Sequence, residues 1–273
     1  MDFFQTPVLW ENLHLDPVAL QLGPLAIRWY SLAYIIGIVG GWWLLLRMVR
    51  RPQSPMTPRH VDDLITWCTL GVILGGRLAY VIFYNPGEYL HDPLAIFKLW
   101  EGGMSFHGGM AGVIIAILLY ARAKGLSALR ILDYAAVITP LGLMLGRLAN
   151  FVNGELWGRA TGGNWGIIFP GAGPLPRHPS QLYEAAFEGA LLLVILNLLF
   201  WFTRARLKPG LLGGLFIAGY GIARFVIEFF REPDEQLGVL GYGLTMGQSL
   251  SLPMIIFGLW LLISCNRRQV VSA

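Results

Sequence analysis

Seven stretches of about twenty mainly apolar residues succeed one another along this chain, and few folds accommodate that pattern. They cover approximately residues 25–48, 64–84, 104–123, 131–152, 181–203, 211–230 and 246–264. A bilayer core takes about 20 apolar residues per helix. Backbone inside it has to satisfy its own N–H and C=O groups, which a helix does. The chain carries only 13% charged residues against 55% hydrophobic ones. A soluble domain has about 25% charge. The expectation is therefore an all-α polytopic membrane protein with about seven transmembrane helices around an outer-leaflet polar cavity. It forms a single membrane-embedded domain, 1–273, with one longer polar segment at about 154–180. The 34 glycines suit close helix packing in lipid. Pro140 and Pro253 fall inside spans and are expected to kink them.

The first 24 residues hold Asp2, Glu11 and Asp16 and no Lys or Arg, unlike a cleavable signal peptide. Cys68 and Cys265 lie in or beside separate apolar runs without metal-ligand spacing. The basic residues sit in short clusters between spans rather than along one face, so the net charge of +4 does not point to nucleic acid. Twelve of the twenty Lys and Arg fall in connections on one side: Arg47, Arg50, Arg51, Arg59, Arg122, Lys124, Arg130, Arg204, Arg206, Lys208, Arg267 and Arg268. The excess of positive charge makes that side cytoplasmic. An odd number of spans then puts the N-terminus outside, the C-terminus inside, and the 154–180 segment outside.

Three arginines, Arg77, Arg147 and Arg224, stand inside predicted spans. A charge at mid-bilayer costs at least about 2.5 kcal/mol, so each marks a functional position by default. With the orientation above, all three fall in the outer halves of their helices. So do Asn150, Glu228 and Arg231. Tyr30 and His107 lie early in spans one and three, and Gln181, Tyr183 and Glu184 open span five. One polar site in the outer leaflet accounts for all of them. Arg147 and Asn150 are three residues apart, and Arg224 and Glu228 four, so each pair shares a helix face. Local alternatives stand beside this reading: Glu228 neutralising Arg224 for insertion, or Arg77 and Arg147 snorkelling to the headgroups. The stretch "EGGMSFHGGMAG" surrounds His107 with glycines, which allow close approach of a ligand or of another backbone. Arginine offers a planar, always charged donor fork suited to phosphate, and an arginine-lined outer site suits a phospholipid headgroup. No HExxH, CxxC, GxSxG or P-loop pattern occurs.

"HGGMAG", "GRLANFVNGELWG", "HPSQLYE" and "ARFVIEFFREPD" together, in order and spacing, resemble the prolipoprotein diacylglyceryl transferase family over nearly the whole chain. The resemblance implies a seven-span bacterial inner-membrane enzyme working at the periplasmic leaflet. It would move the sn-1,2-diacylglyceryl group of phosphatidylglycerol to the lipobox cysteine thiol of a prolipoprotein and release glycerol-1-phosphate, with no metal or cofactor. Matched motif by motif, the family's essential histidine falls on His107. Its essential arginine falls on Arg147, with Asn150, Glu155 and Gly158 in the same signature. The sixth-span arginine and glutamate fall on Arg224 and Glu228, and the first-span tyrosine on Tyr30.

Residue chemistry fits that reaction. The leaving phosphate gains a second negative charge, which calls for cations; Arg147 and Arg224 are the candidates. The thiol, with a pKa of about 8.5, attacks as thiolate. Either His107 takes its proton or the arginine field lowers its pKa. Tyr30, Asn150, Asn153, Gln181 and Tyr183 are expected to bind glycerol hydroxyls or esters, or to link helices. Arg77 and Arg231 would guide the headgroup or the product. Gly158, with Gly154, would serve a tight turn. The alternative class is a transporter or flippase for an anionic lipid. Transporters often show internal repeats, and none is visible here.

Overall fold

A computed structural model describes residues 6–233 and 243–268. The described part is mainly helical, with four short strands. Six helices are long and apolar enough to cross a membrane: α1 (Trp29–Met48), α2 (Pro58–Phe83), α4 (Phe106–Lys124), α5 (Ala128–Val152), the composite Ser180–Phe202, and the last, whose regular part is α9 (Met246–Ser264). A shorter apolar helix, α8 (Leu211–Ile227), lies between the last two. The composite opens as α6 (Ser180–Glu184), widens into a π-helical turn over Ala185–Leu191, and closes as α7 (Leu192–Phe202). Many large apolar side chains are exposed, among them Ile35, Leu74, Ile256 and Ile263. Surfaces that face lipid are expected to look like this.

Several boundaries shift by a few residues from the expected ones, α2 beginning at Pro58 rather than 64, and two shifts change what lies inside a span. The first span begins at Trp29, because Leu25–Arg28 (β3) pairs antiparallel with Val18–Leu22 (β2) around a turn at Gly23. A short apolar run next to a helix is not separable from it by hydropathy. The sixth span ends at Ile227, so Glu228 caps it and Arg231 lies beyond it.

The chain divides into two compact units, residues 45–132 and residues 1–44 with 133–273. In the first, α2 and α4 pack through glycines on both sides. A Cβ on Gly71 would stand 2.6 Å from the Gly112 carbonyl oxygen, and one on Gly75 would strike the carbonyl of Gly108. Two small-xxx-small faces thus bring backbone onto backbone. The short helix α3 (Pro86–His91) and the turns that follow link these helices.

In the second unit, Gly37 of α1 approaches Gly142 of α5. α8 and α9 touch through Gly214, Ala218 and Gly258. The start of α8 is held by Asp133 of α5, whose carboxylate accepts the N–H groups of Gly210 and Gly213 at 2.6 and 2.7 Å. An anion at a helix N-terminus satisfies donors that have no partner in the helix. The 154–180 segment folds as a small extended cap. β1 (Val8–Leu9) pairs parallel with β4 (Ile167–Ile168), and Gly158 bridges antiparallel to Arg231.

Candidate active site

The arginines of the sixth-span region and Arg147 do not stand bare around a cavity; they converge on carboxylates. Glu184, wholly buried, is the hub. Its Oε1 accepts from Arg224 Nη1 at 2.5 Å and from Arg231 Nη1 at 2.9 Å, and its Oε2 pairs with Arg147 Nε at 3.2 Å. Arg224 Nη2 pairs with Glu228 Oε2 at 2.8 Å, and Glu228 Oε1 accepts the Thr245 hydroxyl at 3.0 Å. Glu188, also wholly buried, lies 3.8 Å from both Arg147 Nη2 and Arg224 Nη1. Three guanidinium groups and three carboxylates therefore form one neutral network. Arg147 and Arg224 keep 20% and 15% of their side-chain surface exposed, which gives the network an open side.

Several local features bring these groups together. Gln181, Glu184 and Glu188 follow at i, i+3 and i+7, which is one helix face. The π turn over Ala185–Leu191 carries Glu188 within it. Gly189 lets this helix press against α5, since a Cβ there would lie 2.7 Å from Met144 Cα. Arg147 is one turn further along α5. Arg231, past the end of α8, is positioned by the cap: Arg159 N–H donates to Phe230 O at 2.9 Å, and Arg159 Nε to Arg231 O at 2.9 Å. Gly158 leaves room for this packing, because a Cβ would meet His178 Cβ at 2.7 Å and strike the Phe230 carbonyl. Its role is thus close approach rather than a turn. Gly247 does the same beside Glu228.

The "NGEL" turn after α5 makes a second polar cluster. Gly154 and Leu156 take left-handed conformations, φ 68° and 57°. For leucine that is strained, and strain of this kind gathers at functional sites. The turn swings Glu155 back so that its Oε1 accepts from Asn150 Nδ2 at 2.8 Å and Asn153 Nδ2 at 3.1 Å. The Glu155 carbonyl accepts Gln181 Nε2 at 2.6 Å. Gln181 Oε1 and Asn153 Oδ1 are buried without a hydrogen-bond partner among the described residues. Buried acceptors of this kind call for a donor. Tyr183 places its hydroxyl 3.3 Å from His178 Nδ1 and its ring against Phe230. Burial pushes the His178 imidazole below its ordinary pKa. Tyr30 is part-exposed at the start of α1, its ring beside Tyr34.

Arg77 is the correction to the sequence reading. It is buried, and five backbone carbonyls hold its guanidinium: Ala95, Ile96, Lys98, Gly102 and Gly103, at 2.6 to 3.3 Å. A guanidinium has five N–H groups, so none is left for a headgroup. Arg77 neither snorkels nor offers a binding fork; it fixes the 95–103 segment. His107 is the second residue of α4, exposed, its ring edge-on to Phe106. Ser105 caps this helix by accepting the Gly108 N–H at 3.2 Å. Of the glycines around His107, Gly108 and Gly112 serve packing on α2.

Glu184 entered the sequence reading only as a polar residue opening span five, and Glu188 not at all. Their signal was present: two carboxylates four residues apart in an apolar stretch need cations from elsewhere.

A family model described as prolipoprotein diacylglyceryl transferase matches residues 17–264. A protein of Zymomonas mobilis named phosphatidylglycerol–prolipoprotein diacylglyceryl transferase is 55% identical to this chain, covering 96% of it and 94% of that protein. A protein of the same name from Rhodospirillum rubrum is 55% identical, with 94% and 95% covered. One from Brucella anthropi is 49% identical, with 95% of each covered.

Proposed function

This chain belongs to the prolipoprotein diacylglyceryl transferase family, and we propose that it transfers the sn-1,2-diacylglyceryl group of phosphatidylglycerol to the lipobox cysteine thiol of prolipoproteins. The products are a thioether-linked lipid and glycerol-1-phosphate. The observation that carries the reading at the level of residues is the meeting of Arg147, Arg224 and Arg231 on one buried carboxylate.

The sulfur attacks the glycerol carbon, and the bond from that carbon to the phosphate oxygen breaks. The electron pair stays on the phosphate, which becomes a dianion. Arg147 and Arg224 grip the phosphate where that charge develops. Glu184 and Glu228 hold them in place beforehand, so little reorganisation is needed during the reaction. His107 takes the thiol proton, directly or by orienting the donor; histidine is the side chain that most often serves as a general base. Asn150, Asn153, Gln181, Tyr183 and Tyr30 bind the glycerol and ester groups. Glu155 orients the two asparagines, and Gly158 lets the cap close on Arg231. The enzyme is a multi-pass protein of the bacterial inner membrane. Its N-terminus is periplasmic, its C-terminus cytoplasmic, and its site faces the periplasmic leaflet.

The test is reconstitution. Purified protein, labelled phosphatidylglycerol and a lipobox peptide, with a chelator and without nucleotide, should yield thioether-linked peptide and glycerol phosphate. Lipid that crosses a vesicle membrane with no product formed would favour transport and overturn the proposal.

A further inference from the structure

Glu188 has no hydrogen-bond donor on either oxygen among the described residues, although it is wholly buried. Its partners in the network are better held. Glu184 accepts from Arg224 and Arg231, and Glu228 accepts from Thr245 and pairs with Arg224. Hydrogen bonds to the charged form keep a carboxylate ionised, and Glu188 is the member without them. The charged and titratable groups around it are Arg147 from α5, Arg224 and Tyr220 from α8, Arg231 just past α8, and Glu184 one turn earlier on its own helix.

The charge count then poses a problem. Three arginines and three glutamates sum to zero. A phosphodiester entering such a site brings one negative charge into a medium that penalises it. Resting on the transferase reading, we propose that Glu188 takes up one proton when the anionic phosphodiester of the donor lipid binds. The new O–H bond forms with a proton drawn from solvent on the open side of Arg147 and Arg224, and no other bond changes. The loaded site then holds three guanidinium groups, two carboxylates and one phosphodiester, and is neutral again. Release of the phosphorylated product returns the proton. Glu188 is a positioning residue in this scheme: it frees Arg147 and Arg224 to turn toward phosphate.

The experiment titrates purified full-length protein in detergent micelles with phosphatidylglycerol, without peptide, at pH 7.5 or thereabouts, in two buffers of different ionisation enthalpy. Wild type should take up about one proton per lipid bound, and Glu188→Gln none. Linkage of one proton to binding makes the wild-type KM for phosphatidylglycerol rise about tenfold per pH unit on the alkaline side; in Glu188→Gln that slope should vanish. Glu188→Asp, which keeps the carboxyl, should keep the uptake. Absence of uptake in wild type, or full uptake in Glu188→Gln, overturns the proposal. If Glu188→Gln does not fold, wild type and Glu188→Asp decide: uptake in both supports it, and its absence from either overturns it. Transfer without proton uptake would sink this role alone. Binding with uptake but without transfer would sink the transferase reading and leave the role of Glu188 standing.

Discussion

Arg77 and Arg147 look alike in sequence: each follows glycine, late in an apolar span. Their surroundings differ in kind. Arg77 is enclosed by five carbonyl dipoles, which occupy every N–H and leave its charge nothing further to bind. Arg147 shares two buried carboxylates with Arg224 and keeps an exposed edge. The first arrangement staples a loop, and the second is a poised anion site. A costly arginine in a membrane helix therefore marks importance, and only its acceptors say which kind.

Substitutions should separate the two regions sharply. Glu184→Gln is expected to be the most severe, because three arginines lose their common counterion. Breaking a buried ion pair costs about 3–5 kcal/mol, and both the melting temperature in detergent and transfer to a lipobox peptide should collapse, the latter by more than about 1,000-fold. His107→Gln should lower transfer by about 10²–10⁴-fold while the protein stays folded, since it removes an acid–base group and no packing. Near-wild-type transfer would refute that role and leave the arginine field to activate the thiol. Arg147→Lys and Arg224→Lys should each cut kcat/KM by about 100-fold, since an ammonium lacks the planar fork. Normal turnover would show that a point charge suffices.

Arg77→Met should behave in the opposite way. Losing several charge-assisted hydrogen bonds, at about 1.5–3 kcal/mol each, should lower the melting temperature clearly. The kcat/KM of the folded fraction should change by less than about twofold. A selective rise in KM for phosphatidylglycerol would break the distinction drawn above.

The smallest effect concerns pH. The folded-state pKa of His178 is depressed by burial below its unfolded value of about 6.5. The unfolded chain therefore binds more protons at acid pH, and stability should fall as pH drops below about 6.5. His178→Gln should flatten that part of the melting-temperature profile.

Much of this site was legible in the chain. Asn150, Glu155, Gln181, Arg224 and Glu228 were all singled out, and they fall in two clusters of one unit. Glu188 escaped because attention went to the arginines inside spans, whereas its signal lies in its pairing with Glu184 four residues earlier in the same apolar stretch. The β2–β3 hairpin escaped because Leu25–Arg28 merges into an apolar run. The tight spacing of α2 and α4 was half visible: the glycines showed that something comes close, and the structure shows that it is backbone.

Transmembrane character, the approximate limits of the spans and the positions of the expensive residues are set by the chain alone. Hydropathy sums along a local stretch, and a charge in that stretch is unfavourable wherever its partner lies. Partner choice is not local. Arg77 finds carbonyls 18 to 26 residues away, and Arg231 finds Glu184 at a separation of 47. Only the packed structure decides which acceptor a guanidinium meets, because only packing brings a given carboxylate or a given carbonyl within reach.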